Sequence, residues 1–178
     1  MNAPEAQLDT LDLIKHRLLA AVQRRFGARA AIDAVDVATL GGSNRTLLFD
    51  LVEGAARRRL VFRQETYRLP NSPFIAPHPQ FLLLQLANRN GLPVPEPIFE
   101  FAPEDELERG YVVACVDGET MPRKILRDDR FRSAREQFGH QAGTFLGRLH
   151  ALPPADAAFL AETADSVDAL QAQLDRLD

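Results

Sequence analysis

Residues 34–63 read AVDVATLGGSNRTLLFDLVEGAARRRLVFR: three apolar-rich runs cut by two turn signals. Ala34 to Leu40 has strand-like character and stops at Gly41-Gly42. Arg45 to Val52 is again strand-like and stops at Glu53-Gly54-Ala55-Ala56. Arg59 to Arg63 is the third run. Short runs rich in β-branched and apolar residues, separated by glycine-containing turns, predict an antiparallel meander. Arg57-Arg58-Arg59 is the only basic run in the chain and reads as the solvated end of the second hairpin.

Working outward, apolar residues at Leu11, Ile14, Leu18, Val22 and Phe26 recur at helical spacing and predict a helix over Leu8–Phe26, with Gly27 as its C-cap. Downstream, Gln64–Pro79 reads as a loop with four prolines. A leucine-rich helix over about Gln80–Asn90 follows, stopped by Gly91. Pro93-Val94-Pro95-Glu96-Pro97 enforces an extended connection. Ile98–Phe101 and Tyr111–Val116 then read as a second hairpin around an acidic loop, and Asp117-Gly118 as a turn. Asp128–Leu152 carries Phe131, Ala134, Phe138, Ala142, Phe145 and Leu149 at helical spacing, and Pro153-Pro154 ends it. Gly139, Gly143 and Gly147 form one stripe of that helix. Each costs about 1 kcal/mol of helix propensity relative to alanine, so close approach of another backbone is expected in return. Ser166–Asp178 is a further helical segment.

Composition narrows the function. Of 178 residues, 46% are hydrophobic, enough for a core of ordinary size. A net charge of −4, from 21 basic and 25 acidic residues, argues against nucleic acid as a partner. One cysteine, Cys115, excludes a disulfide framework and a cysteine-rich metal site. No run approaches the roughly 18 apolar residues of a membrane span, and the polar N-terminus is no signal peptide, so a cytoplasmic protein is expected.

The predicted order is helix, three strands, helix, two strands, helix. A five-stranded antiparallel sheet with one inserted helix is the small lobe of the protein-kinase-like fold, an α+β architecture. Five segments strengthen this: Leu40-Gly41-Gly42-Ser43-Asn44-Arg45-Thr46, Leu60-Val61-Phe62-Arg63, Gly91-Leu92-Pro93-Val94-Pro95-Glu96-Pro97, Tyr111–Gly118 and Leu146-Gly147-Arg148-Leu149-His150. In that order and spacing, over roughly residues 30–152, the chain resembles the aminoglycoside phosphotransferase and choline kinase-like superfamily. The resemblance divides the chain into an N-terminal helix (1–29), a nucleotide-binding small lobe (30–117) and a linker with the first helices of an incomplete large lobe (118–178).

The resemblance implies an ATP-dependent phosphotransferase acting on a small-molecule hydroxyl, with ATP and Mg2+ as cofactors. Gly41, Gly42, Ser43 and Asn44 would present backbone N–H groups to phosphate; glycines between strands permit such an approach, and serve a plain hairpin equally well. Val61 would roof the adenine, and Arg63 would stand where the family has a phosphate-binding lysine. Side chains two apart share one face of a strand. Arginine keeps the charge and can grip phosphate through two parallel hydrogen bonds. Gln80 falls, counting back from Pro93, where kinase-like lobes carry a glutamate. It can accept a hydrogen bond from Arg63 but cannot neutralise it. Ala114, Cys115 and Val116 would form the hinge whose backbone meets adenine. Cys115 reads as a small hinge residue and His150 as a structural hydrogen-bonding residue. The glycine turn is also irregular, because Gly42 adjoins Ser43 where the family has a spacer.

The family's base and metal ligands lie in a His-Gly-Asp-x-x-x-x-Asn segment and a later Asp, and 156–178 holds neither. No catalytic residue and no metal ligand is therefore assigned within this chain. Either the sequence is part of a longer enzyme, or it is a stand-alone lobe that binds nucleotide or a partner without catalysis. A homodimer would cover the apolar surface left by an absent large lobe. A generic α+β domain is the remaining alternative, and it predicts no five-stranded antiparallel order. The acceptor substrate is not readable from these residues.

Overall fold

Alternation along the strands decides which way the sheet faces. On one side lie Leu47, Phe49 and Leu51 of β2 (Asn44–Glu53), Leu60 and Phe62 of β3 (Ala56–Glu65) and Val112, all buried. In the computed structural model, which describes residues 3–41, 44–66 and 75–163, these strands join β1 (Ala31–Gly41), β4 (Pro97–Glu100) and β5 (Gly110–Ala114) in one antiparallel sheet. The order is β1-β2-β3-β5-β4. The five-stranded expectation is met, and the generic domain is set aside.

The first helix, α1 (Ala3–Phe26), covers the apolar face. Its stripe of Ile14, Leu18, Ala21 and Val22 is buried against the sheet cluster. Fully burying one such aliphatic side chain is worth about 1.5–3 kcal/mol, so this stripe supplies much of the lobe's stability. Phe26 meets Phe99 with ring centroids 6.2 Å apart, and the Arg25 guanidinium sits 4.4 Å over the Phe99 ring. At the helix end, Arg24 and Arg25 both grip Asp105, in the loop between β4 and β5.

The inserted helix, α2 (Pro77–Arg89), packs on the opposite face. It starts three residues earlier than its leucine run predicts, because Pro77 at the first helical position needs no hydrogen-bond donor there. It ends in a Schellman motif: Leu92 N–H bonds Ala87 O (3.0 Å) and Gly91 N–H bonds Asn88 O (2.9 Å), with Gly91 at φ +65°. Phe81 of α2 packs with Tyr111 and Val113, and Val61 and Leu84 close around them. The predicted loop Gln64–Pro79 is shorter than expected, since Gln64 and Glu65 continue β3.

Beyond β5, α3 (Pro122–Arg127) is a helical turn the sequence did not announce. The long helix starts as a 3-10 turn, Asp129–Phe131, capped by the Asp128 carboxylate, which accepts from Arg130 N at 3.0 Å. It then runs as α4 (Arg132–His150), and a 3-10 stretch over Pro154–Thr163 follows Pro153. The glycine stripe departs from expectation. A Cβ built on Gly139, Gly143 or Gly147 meets nothing within 4 Å, so among the described residues no backbone approaches it. α4 buries no residue, and Phe138 is 70% exposed. His150 is exposed, and its side chain makes no hydrogen bond among the described residues, against its structural reading. The helical segment expected over Ser166–Asp178 lies outside the described residues. Among the described residues, no helix is long and apolar enough to cross a membrane.

Candidate functional site

Side chains directly opposite in a ladder share a face. Thr46, Arg63 and Tyr111 are in register across β2, β3 and β5, as are Leu48, Val61 and Val113 one step along. These two rows form the face turned away from α1. Thr46, Leu48 and Val61 are partly exposed there, and Arg63 is exposed. Val61 and Arg63 thus lie on one open face, with Val61 part of an apolar floor.

One end of this face is the β1–β2 hairpin. Gly41 pairs with Asn44 across it, and Asn44 in turn pairs with Glu65. Gly42 and Ser43, the tip of the expected phosphate loop, lie outside the described residues. At about 3.3–3.4 Å per residue, Arg63 sits about 7 Å from the level of Asn44. The other end is the segment Ala114–Val116, the expected hinge. Ala114 pairs with Leu60, about 10 Å further along β3 than Arg63. Ala114 N–H donates to Glu96 O and Cys115 N–H to Arg59 O, both at 2.9 Å. Val116 is 66% exposed, and its amide has no partner among the described residues. Hairpin, arginine and hinge therefore follow one another along a single strip.

The four arginines of β3 differ in how they are held. Arg57 pairs with Asp33 (2.9 Å) and Asp50 (3.0 Å), Arg58 with Glu96 (3.0 Å), and Arg59 with Asp36 and with Asp50 (3.1 Å). Hydrogen bonds from Arg57 and then Arg59 hold the Asp50 carboxyl below the usual carboxylate range. The basic run is thus a cross-strand ion network on β1–β3 rather than a merely solvated turn. Arg63 alone of the four has no carboxylate partner among the described residues.

Gln80 is placed near this site, but its amide does not engage Arg63 directly. Its Nε2 donates to Ile75 O at 2.7 Å, and its Oε1 accepts from the Tyr111 hydroxyl at 3.0 Å. Tyr111 is the residue that sequence reasoning missed. In the sequence it stands only as the first residue of the hinge strand, and the signal that finds it is its register with Arg63. Burial pushes the phenol up from its ordinary value, while the Arg63 guanidinium pulls it down. Cys115 is half-buried and forms no disulfide. Among the described residues, no group of three or more His, Cys, Asp or Glu is arranged to hold a metal ion.

The sequence matches the model of the family described as "Phosphotransferase enzyme family" over residues 36–178. No curated protein and no solved structure gave a significant match.

Proposed function

Because the chain belongs to the phosphotransferase enzyme family, we propose that it supplies the nucleotide-binding lobe of an ATP-dependent transfer to a small-molecule hydroxyl. The observation that carries this reading is Arg63, the one arginine of β3 left without a carboxylate among the described residues, facing an open strip. A guanidinium is an all-donor, permanently charged group suited to two phosphate oxygens at once. The strip offers the rest of what a nucleotide needs. Leu48 and Val61 give the base an apolar floor, and the Val116 amide can donate to its edge. The Gly41–Asn44 segment would present backbone N–H groups to the far phosphates.

In such a transfer the acceptor oxygen forms a bond to the terminal phosphorus as the bridging oxygen of ATP leaves. The protein's contribution is mainly placement and charge stabilisation. Arg63 would hold the phosphates in place and offset their charge. The base and the Mg2+ ligands are assigned to no residue of this chain. Gln80 favours a second reading, a lobe that binds nucleotide without transferring it, because a neutral amide stands where kinase-like lobes carry a carboxylate.

Calorimetric titration of MgATP into the 178-residue chain tests the reading. Wild type should bind, and Arg63→Met should weaken binding about tenfold or more, the loss expected of one charge-assisted contact. A wild-type chain that takes up no MgATP sinks the proposal. ADP formation by the bound chain would separate transfer from binding alone.

A further inference from the structure

We propose that the Tyr111 hydroxyl positions Arg63 through a neutral hydrogen-bond relay from α2 to β3, in place of a cation–carboxylate pair. The inference rests on the reading of Arg63 as a phosphate-binding residue.

The relay has a fixed direction. The Ile75 carbonyl can only accept, so the Gln80 Nε2 at 2.7 Å must donate to it. That orients the amide and turns Oε1 toward Tyr111, whose single hydroxyl proton is committed to Gln80 at 3.0 Å. The phenol oxygen keeps its lone pairs, and its cross-strand partner Arg63 offers donors only. Opposed residues of an antiparallel pair have Cβ atoms about 4.5–5.5 Å apart, within reach of two long side chains. Each group in the series therefore lies within reach of its complement.

The phenol is held firmly enough to act as a support. Tyr111 is only 4% exposed, and its ring lies 5.8 Å from that of Phe81. The backbone beside it is also fixed. A Cβ on Gly110 would lie 2.2 Å from Arg63 O and 2.9 Å from Gln64 Cα, so β5 begins pressed against β3. The charged group facing Tyr111 from β4 is Glu100, its register partner. His78 of α2 holds that carboxylate at 2.8 Å.

The relay explains why position 80 carries an amide. A glutamate there would set a carboxylate oxygen against the Ile75 carbonyl, lone pair facing lone pair. It also aims Arg63 without neutralising it, leaving the full charge for an anionic ligand.

MgATP affinity is measured on the full chain for wild type, Tyr111→Phe, Arg63→Met and the double variant. Tyr111→Phe should bind about fivefold more weakly, the effect of one lost hydrogen bond. The double variant should bind no more weakly than Arg63→Met alone, because the hydroxyl acts only through the arginine. Equal affinity of Tyr111→Phe and wild type, or losses that multiply in the double variant, overturns the relay alone. A wild-type chain indifferent to MgATP overturns the nucleotide reading, and with it the phosphate-binding role of Arg63. A second readout needs no nucleotide. In a Tyr67→Phe background, which leaves Tyr111 as the sole tyrosine, tyrosinate absorbance is followed against pH. Arg63→Met should move ionisation to higher pH, and an unmoved curve overturns the contact itself.

Discussion

Asp105 has a side chain with no exposed surface, in a loop whose sequence reads only as acidic and polar. Burial alone would push the carboxyl up from its ordinary value. Hydrogen bonds from Arg25 and Arg24, and from the Ala102 amide, outweigh burial and hold the carboxyl at about 2. Arg25 contributes two contacts, at 2.9 and 2.7 Å, and also reaches Glu100 O at 3.1 Å. A carboxyl depressed from 3.8 in the folded chain stabilises the fold above about pH 4 and loses that effect as pH falls toward 2. Urea midpoints measured from pH 6 to pH 2 should fall over that window in wild type and stay flatter in Asp105→Asn. Asp105→Ala should cost about 3 kcal/mol at neutral pH, since it strands two arginines that share one buried partner.

At the scale of elements, β5 closes onto β3 through Gly110, the most crowded of the described glycines. The nearest obstacles to a side chain there are backbone atoms or a packed ring: Arg63 O, Phe101 and Gln64 Cα. Gly110→Ala should therefore destabilise by about 3 kcal/mol, read as a lowered urea midpoint, because neither strand can yield without breaking its ladder. Strands and helices were legible where one periodicity ran unbroken. The alternation Leu47-Phe49-Leu51 and the stripe Ile14-Leu18-Val22 each name their own buried face. α3 was not legible, because six residues around Pro122 carry too short a pattern. Arg63 and Gln80 were expected from the places they take in the family resemblance. Tyr111 was not, because its part depends on register between strands far apart in the sequence. The Asp105 cluster is hidden for the same reason, with α1 and the β4–β5 loop meeting only in space.

Over the whole molecule, the sheet with α1 and α2 is densely interlocked, whereas α4 is held by few contacts. Arg148 ties α4 to the end of α2: its guanidinium donates to Gly91 O at 2.7 Å and Asn90 O at 3.3 Å. A cation at the carboxyl end of α2 also meets the negative pole of that helix. Arg148→Ala should remove about 1 kcal/mol of local stability. Hydrogen exchange should then quicken in the last turn of α2 and in α4, with the amides of β2 and β3 unchanged. Uniform quickening across the sheet would contradict this division of the molecule.

The connector after β5 holds the chain's one cysteine, half-buried between Ala114 and Val116. Its amide is anchored to Arg59, so the thiol hangs from a stationary backbone. Thiol chemistry can thus fix a fluorophore or spin label at this single point without altering any other residue. Such a tag would stand beside the place proposed for the base of a nucleotide, and would register its arrival as a change in emission or line shape.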